Sequence, residues 1–177
     1  MDQDECWFSR FAQPQAHAWA EAGAELRLVQ REPGSGETQK ALACFGAVES
    51  GQVHLYFSNG QPNSEHTIYH LTGLLQVARE KQKRVAVVVW DHASWHKSKR
   101  VRAWVREHNR RAKANGDVRL LTFLLPKKSP WLNSIEPRWV HAKRKVCEPD
   151  GEISPEEMQR RLCAHFETAP FVPTFNL

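Results

Sequence analysis

The chain has 177 residues, 41% of them apolar and 25% charged, with a formal net charge of +5. That length suits one domain able to bury a core without disulfides or structural metals, and the composition excludes a disordered chain. No apolar run approaches the roughly 18 residues a bilayer crossing needs, which argues against a membrane partner, and the acidic opening Met1-Asp2-Gln3-Asp4-Glu5 is unlike a signal peptide. A cytoplasmic address is expected, with Cys6, Cys44, Cys147 and Cys163 as free thiols, since no two form a C-x-x-C pair.

In chain order, residues 3–8 read as a short strand, and 25–31 alternate apolar and polar with the period of a half-buried strand. Residues 40–48 and 52–58 are two further strand-like runs separated by Glu49-Ser50-Gly51, so the four segments suggest an antiparallel meander. From Ser64 to Lys83 the period becomes helical, with Ile68, Leu71, Leu75 and Ala78 on one stripe. The β-branched run from Arg84 to Asp91 lacks polar alternation, the pattern of a strand covered on both faces. A second helix is expected over about Ser98–Ala114, with Val101, Trp104, Val105, His108 and Ala112 inward. Residues 118–125 form another buried-looking strand, stopped by Pro126. A third helix is expected over about Leu132–Val146, and a last one opens at the capping box Ser154-Pro155-Glu156-Glu157 and ends near Glu167. Antiparallel strands followed by βαβα alternation predict an α/β fold, a mixed sheet with helices packed on its faces.

Charge is unevenly placed. Between Lys97 and Lys113 lie eight basic residues against the single acid Glu107, and a second cluster spans His141 to Lys145. Such clustering suits phosphate contact, though a solvated helix face explains a charge run equally well.

Three carboxylates stand where chemistry would use them. Asp4 lies in the first strand, and Asp91 ends the most apolar strand, where open α/β sheets bind ligands. Glu136 sits in the first turns of the third helix. Oxygen donors of this kind suit magnesium or manganese, and a pair of such ions activates a water or hydroxyl and stabilises a departing oxygen in phosphoryl transfer. Blander readings stand beside these. Asp91 ahead of Ser94 reads also as a turn or cap residue, and Asn133-Ser134-Ile135-Glu136 reads equally as a capping box. Strand alternation puts Asp2 and Asp4 on one face and Glu5 on the other.

Local sequence favours the chemical reading. Val87-Val88-Val89-Trp90-Asp91-His92-Ala93-Ser94-Trp95-His96 resembles the second-aspartate motif of mariner-like insertion-sequence transposases. Leu125-Pro126-Lys127-Lys128-Ser129-Pro130-Trp131-Leu132-Asn133-Ser134-Ile135-Glu136-Pro137-Arg138-Trp139 resembles that family's third-acid motif more closely. Asp4-Glu5-Cys6-Trp7-Phe8 is similar to its first motif, and His17-Ala18-Trp19 with Gly23 is in keeping with it. The resemblance spans essentially the whole chain. It departs at His92, where asparagine is usual, and at Lys127, Lys128 and Trp131.

The resemblance implies an RNase H-like mixed five-stranded sheet with helices on both faces, and a single catalytic domain over residues 1–177. Asp4, Asp91 and Glu136 would be the catalytic metal ligands, holding Mg2+ (Mn2+ as substitute), two ions in all. His96 and Asn133 would be helpers near the site. Lys97, Lys99, Arg100, Arg102, Lys127, Lys128, Arg138 and Lys143 would contact double-stranded DNA. It further implies cutting of transposon ends, joining of the freed 3′ hydroxyl to target DNA, a homodimer on DNA and a bacterial nucleoid address. Family members carry a helix-turn-helix region before the first motif, and only three residues precede Asp4, so that region is expected to be absent. Two other readings fit the same residues: a noncatalytic remnant that binds DNA or a partner, and a general RNase H-like nuclease.

Overall fold

The computed structural model describes residues 1–10, 41–58, 60–147 and 153–172. Strand β1 (Asp2–Ser9) pairs antiparallel with β2 (Ala41–Glu49), and β2 pairs antiparallel with β3 (Gln52–Ser58). The β2–β3 turn is tight, with Ser50 and Gly51 both at positive φ. Helix α1 (Ser64–Glu80) follows, capped by the Asn63 side chain, which accepts from the backbone N–H groups of Glu65 and His66. Strand β4 (Val85–Trp90) then runs parallel to β1, helix α2 (Lys99–Asn115) returns, and β5 (Arg119–Leu124) lies parallel to β4. The sheet order is β3-β2-β1-β4-β5. A single turn of 3-10 helix (Pro130–Leu132) leads to α3 (Glu136–Val146), and α4 (Pro155–Phe166) closes the described chain.

The two faces have separate cores. Ile68, Leu71, Leu74 and Leu75 of α1 pack with Val101 of α2 against Ala86, Val88, Trp90 and Leu120. On the other face Ile135, just before α3, and Trp139, Ala142, Met158 and Leu162 of α3 and α4 cover Cys6, Phe8, Leu42, Cys44 and Leu55. The expected helical stripe on α1 is buried throughout, and Ser98 and Ser154 cap α2 and α4 as the sequence indicates. All four cysteines are free thiols. The segment 25–31 and the His17-Ala18-Trp19 and Gly23 positions lie outside the described residues.

Three expectations change. The run ending at Asp91 is not covered on both faces, since Val87 is 39% exposed. Nor is β5 a buried strand: Leu120 is its one buried side chain, while Leu121, Phe123 and Leu124 are exposed. The cause is placement, because α3 and α4 pack over β1, β2 and β3 and leave the β4–β5 half of that face open. The third helix begins at Glu136, later than Leu132, because Pro130–Leu132 form a separate 3-10 turn and Pro137 occupies the first turn of α3.

His70 stands in the interior beside Phe45 and Phe171, 1% exposed, and burial drives its imidazole down to about 3 from an ordinary 6.5. The unfolded chain therefore takes up a proton below pH 6.5 that the folded chain refuses, so stability falls as pH drops from 6.5 toward 3. A His70→Leu variant is expected to lose up to about 1.4 kcal/mol per pH unit of that slope between pH 6.5 and 5, read from urea unfolding across the window.

Candidate functional site

Parallel pairing of Asp2 with Val89 sets the register of the site, since two residues further along each strand come Asp4 and Asp91. Adjacent strands lie about 4.8 Å apart, so the two carboxylates are neighbours across the junction of β1 and β4. Glu136, the first residue of α3, approaches from the α3–α4 face. It presses on Asp4 electrostatically, as Glu5 and Asp91 also do.

Asp4 is 9% exposed. Burial, with the charges of Glu136 and Glu5 behind it, raises its carboxyl to about 7. One oxygen, Oδ2, accepts a hydrogen bond from the Trp139 indole N–H at 3.2 Å. That indole lies over Gly46, the β2 residue directly opposite Asp4, where a Cβ would fall 2.4 Å from the tryptophan ring. Glycine is required there by close approach: it leaves the slot from which Trp139 reaches Asp4.

Asp91 behaves oppositely. It lies just past β4, its side chain 52% exposed, and its carboxyl is lowered, first by the hydrogen bond from His96. Its Oδ1 accepts from His96 Nδ1 at 2.9 Å and from the Ala93 backbone N–H at 2.8 Å. The turn reading of Asp91 is thus also true of the same oxygen. His96 is fully enclosed, stacks on Trp90 at 4.6 Å, and places Nε2 2.9 Å from Glu5 Oε1. Burial alone would lower the imidazole, but hydrogen bonds to Asp91 and Glu5 outweigh it and hold it at about 9.

The capping box expected at Asn133–Glu136 does not form; α3 has no side-chain cap. Asn133 is buried, donating from Nδ2 to the Gln3 carbonyl at 3.1 Å, and Ser134 donates to Asp2. These contacts pin the entry to α3 onto β1 and leave the Glu136 side chain half-buried at the rim. A cleft of about 400 Å³ joins Asp91, Asn133 and Glu136, with Lys127 and Lys128 on its outer wall. Its far side is fixed by His92, whose Nε2 lies 2.7 Å from the Leu125 carbonyl.

The remaining basic residues separate into groups. Lys143, two turns after Glu136, reaches the Cys6 thiol close to the acids, and Arg138 is half-buried on the same helix. Lys97, Lys99 and Arg102 are exposed and carry no ion pair among the described residues, whereas Arg100 pairs with Glu65 at 3.4 Å. Two working residues escape the sequence reading. Trp139 is visible as a motif element but not as the donor to Asp4, and Glu5 is visible as the partner of Asp4 in a pair but not as the acid behind His96. The signal for Glu5 is register: it faces away from Asp4, toward the level at which the chain leaves β4.

The acids form an open set: no three His, Cys, Asp or Glu side chains among the described residues are arranged to hold a metal ion. Their chemistry nonetheless fits a hard cation. Three carboxyl groups lie close enough to repel, and the deepest resists ionisation first because it is buried and then because of its neighbours' charge, a repulsion that a divalent ion would relieve.

A family model described as DDE superfamily endonuclease matches residues 3–154. The chain belongs to the DDE superfamily endonucleases. No curated protein matches it. Among solved structures, this chain is similar to the Mos1 transposase paired-end complex with left transposon end, with a TM-score of 0.68 at 15% identity over 94% of this chain and 47% of that one. It also resembles the pre-cleavage Mos1 transpososome (TM-score 0.64, 16% identity, 95% and 48%) and the Mos1 mariner paired end complex with Mn (TM-score 0.63, 17%, 94% and 47%). The DDE endonuclease chain spans about half the length of these structures, and the likeness establishes its fold as RNase H-like.

Replacing Gly46 with alanine is expected to displace Trp139 and release Asp4 Oδ2. The overpacking should cost about 1–3 kcal/mol in chemical denaturation and shift the Trp139 indole N–H resonance, while Gly51→Ala, in the β2–β3 turn, leaves that resonance in place.

Proposed function

We propose that this chain is the catalytic domain of a mariner-like DNA transposase, spanning residues 1–177, which cuts transposon-end DNA and transfers the resulting 3′ hydroxyl into target DNA. The observation that carries the reading is the proximity of Asp4, Asp91 and Glu136 where β4 ends beside β1, within a member of the DDE superfamily endonuclease family. Likeness to structures of the Mos1 transposase with a transposon end, in a strand transfer complex and in a paired end complex with Mn supports the substrate and the metal.

Asp4, Asp91 and Glu136 would hold Mg2+, or Mn2+ in its place, as two ions. When bound, they supply Lewis-acid stabilisation of the attacking and departing oxygens of a phosphodiester. The chain's own residues account for the rest. Trp139 orients Asp4 by its indole N–H, and His96 and the Ala93 N–H together fix Asp91 Oδ1, leaving its other oxygen toward the cleft. Asn133 holds the start of α3 so that Glu136 meets the same space. Lys127 and Lys128 line the approach, and Lys143 and Arg138 add positive charge along α3, suited to a phosphate backbone. Lys97, Lys99, Arg100 and Arg102 extend that charge around α2. The partner is double-stranded DNA, and pairing of two ends calls for a homodimer on it. Among the described residues no helix is long and apolar enough to cross a membrane. A nucleoid address follows from the substrate.

Mn2+ titrated into the full chain, with and without a short DNA duplex, should bind saturably. An Asp91→Ala, Glu136→Ala double variant should lose that binding and reduce metal-dependent cleavage to background. Strand-joined products beside cut ones would separate a transposase from a simple nuclease; unchanged cleavage in the double variant would sink the assignment.

DNA affinity should fall similarly on all sequences when Lys99 and Arg102 are both changed to glutamine, because phosphate contacts position without reading sequence. Each lost contact should flatten the slope of log affinity against log salt by roughly one unit, measured by fluorescence anisotropy.

A further inference from the structure

We propose that Glu5 is a positioning residue for Asp91, acting through His96, so that a Glu5–His96–Asp91 clamp fixes which carboxylate oxygen is presented to the cleft. This rests on reading Asp91 as a metal ligand. The three groups come from two strands and one loop. Glu5 lies on β1, at the centre of the sheet, with a side chain only 6% exposed. His96 lies in the stretch between β4 and α2, and its ring is enclosed on both sides: Trp90 stacks on it with an interplanar angle of 4°, and Trp95 meets it edge-on. Its nitrogens are each 2.9 Å from a carboxylate oxygen, Nδ1 to Asp91 and Nε2 to Glu5. Gln3 donates from Nε2 to the same Glu5 oxygen at 2.9 Å, so the anchor is itself held.

The asymmetry of exposure gives the clamp its direction. Glu5 and His96 are buried and braced, while Asp91 is half in solvent and lies beyond the last hydrogen-bonded residue of β4. An aspartate so placed would otherwise sample several rotamers, and ordering it would weaken any ion it binds. Through the rigid imidazole, Oδ1 is committed to the protein. Glu5 does not join the ligand set. Alternation along β1 turns it to the α1–α2 face, away from Asp4, and its Oε1 already accepts two hydrogen bonds.

The test compares Glu5→Gln, Glu5→Asp and Asp91→Ala with the parent full chain, by Mn2+ calorimetry with a short duplex present, thermal unfolding, and proton NMR of the His96 ring N–H groups. Glu5→Gln is isosteric. Glu5→Asp keeps the charge but is one methylene too short to reach Nε2, so it separates geometry from charge and stands in should the first variant fold poorly. Both are expected to weaken Mn2+ binding roughly 10- to 100-fold, the range for partners behind metal ligands. They should also change the His96 Nε2–H signal. Asp91→Ala should lose the site. Parent-like Mn2+ affinity in both Glu5 variants, beside loss in Asp91→Ala, would overturn the clamp while keeping Asp91 as a ligand. Weakening by Glu5→Gln with full affinity in Glu5→Asp would overturn it in favour of a charge effect. Parent-like affinity in Asp91→Ala would remove the reading of Asp91 itself, and the clamp with it.

Discussion

Like charges brought together in a low-dielectric setting repel, and Asp4, Glu5, Asp91 and Glu136 are four such groups around the first half of β1, where the neighbouring β4 ends. The surrounding structure answers that repulsion in two ways. On the α1–α2 face a buried imidazole bridges Glu5 and Asp91, supplying positive charge and two donors. On the α3–α4 face no described residue supplies an equivalent cation at Asp4. Its carboxyl, buried and crowded by Glu136, rises to about 7 and is met by neutral donors, the Trp139 indole and the Glu5 backbone N–H. One face carries a charge-compensated pair and the other a crowded carboxyl, the contrast on which the proposed metal-binding role of Asp4 rests.

The same constraint explains why elements distant in sequence depend on one another. Gly46 on β2 gives room to Trp139 on α3, which orients Asp4 on β1. Asn133 ties the start of α3 to the Gln3 carbonyl, next to Asp4 in the chain. Each tie crosses from the third motif back to the first strand, so the long separation in sequence is bridged by short polar contacts rather than by the apolar core alone.

Much of this was legible beforehand. Periodicity found α1 and α2 to within a few residues, and the capping box at Ser154 found the start of α4. It misjudged β4 and β5, since a run of valines or leucines looks the same whether or not a helix covers its second face; Val87 and Phe123 show the difference. Motif resemblance singled out Asp91 and Glu136, and the capping-box alternative for Glu136 falls away once Asn133 and Ser134 are seen turned toward β1. Glu5 stayed hidden because its partner is 91 residues away, a pairing that depends on strand register and not on local pattern.

The two edges of the sheet are finished differently. Along β3, Pro170 bridges to Leu55 and the Phe171 N–H donates to the Leu55 carbonyl, so the terminal segment lies against that edge. Along β5 no described residue plays that part, and Leu121, Phe123 and Leu124 stand exposed, with Arg119 the strand's one charge. An unpaired strand edge beside apolar side chains is a template for adding another strand. Were that edge open in the full molecule, concentrated solution would offer a route to colloidal association that needs no unfolding, and salt would favour it by screening the repulsion between net-positive copies.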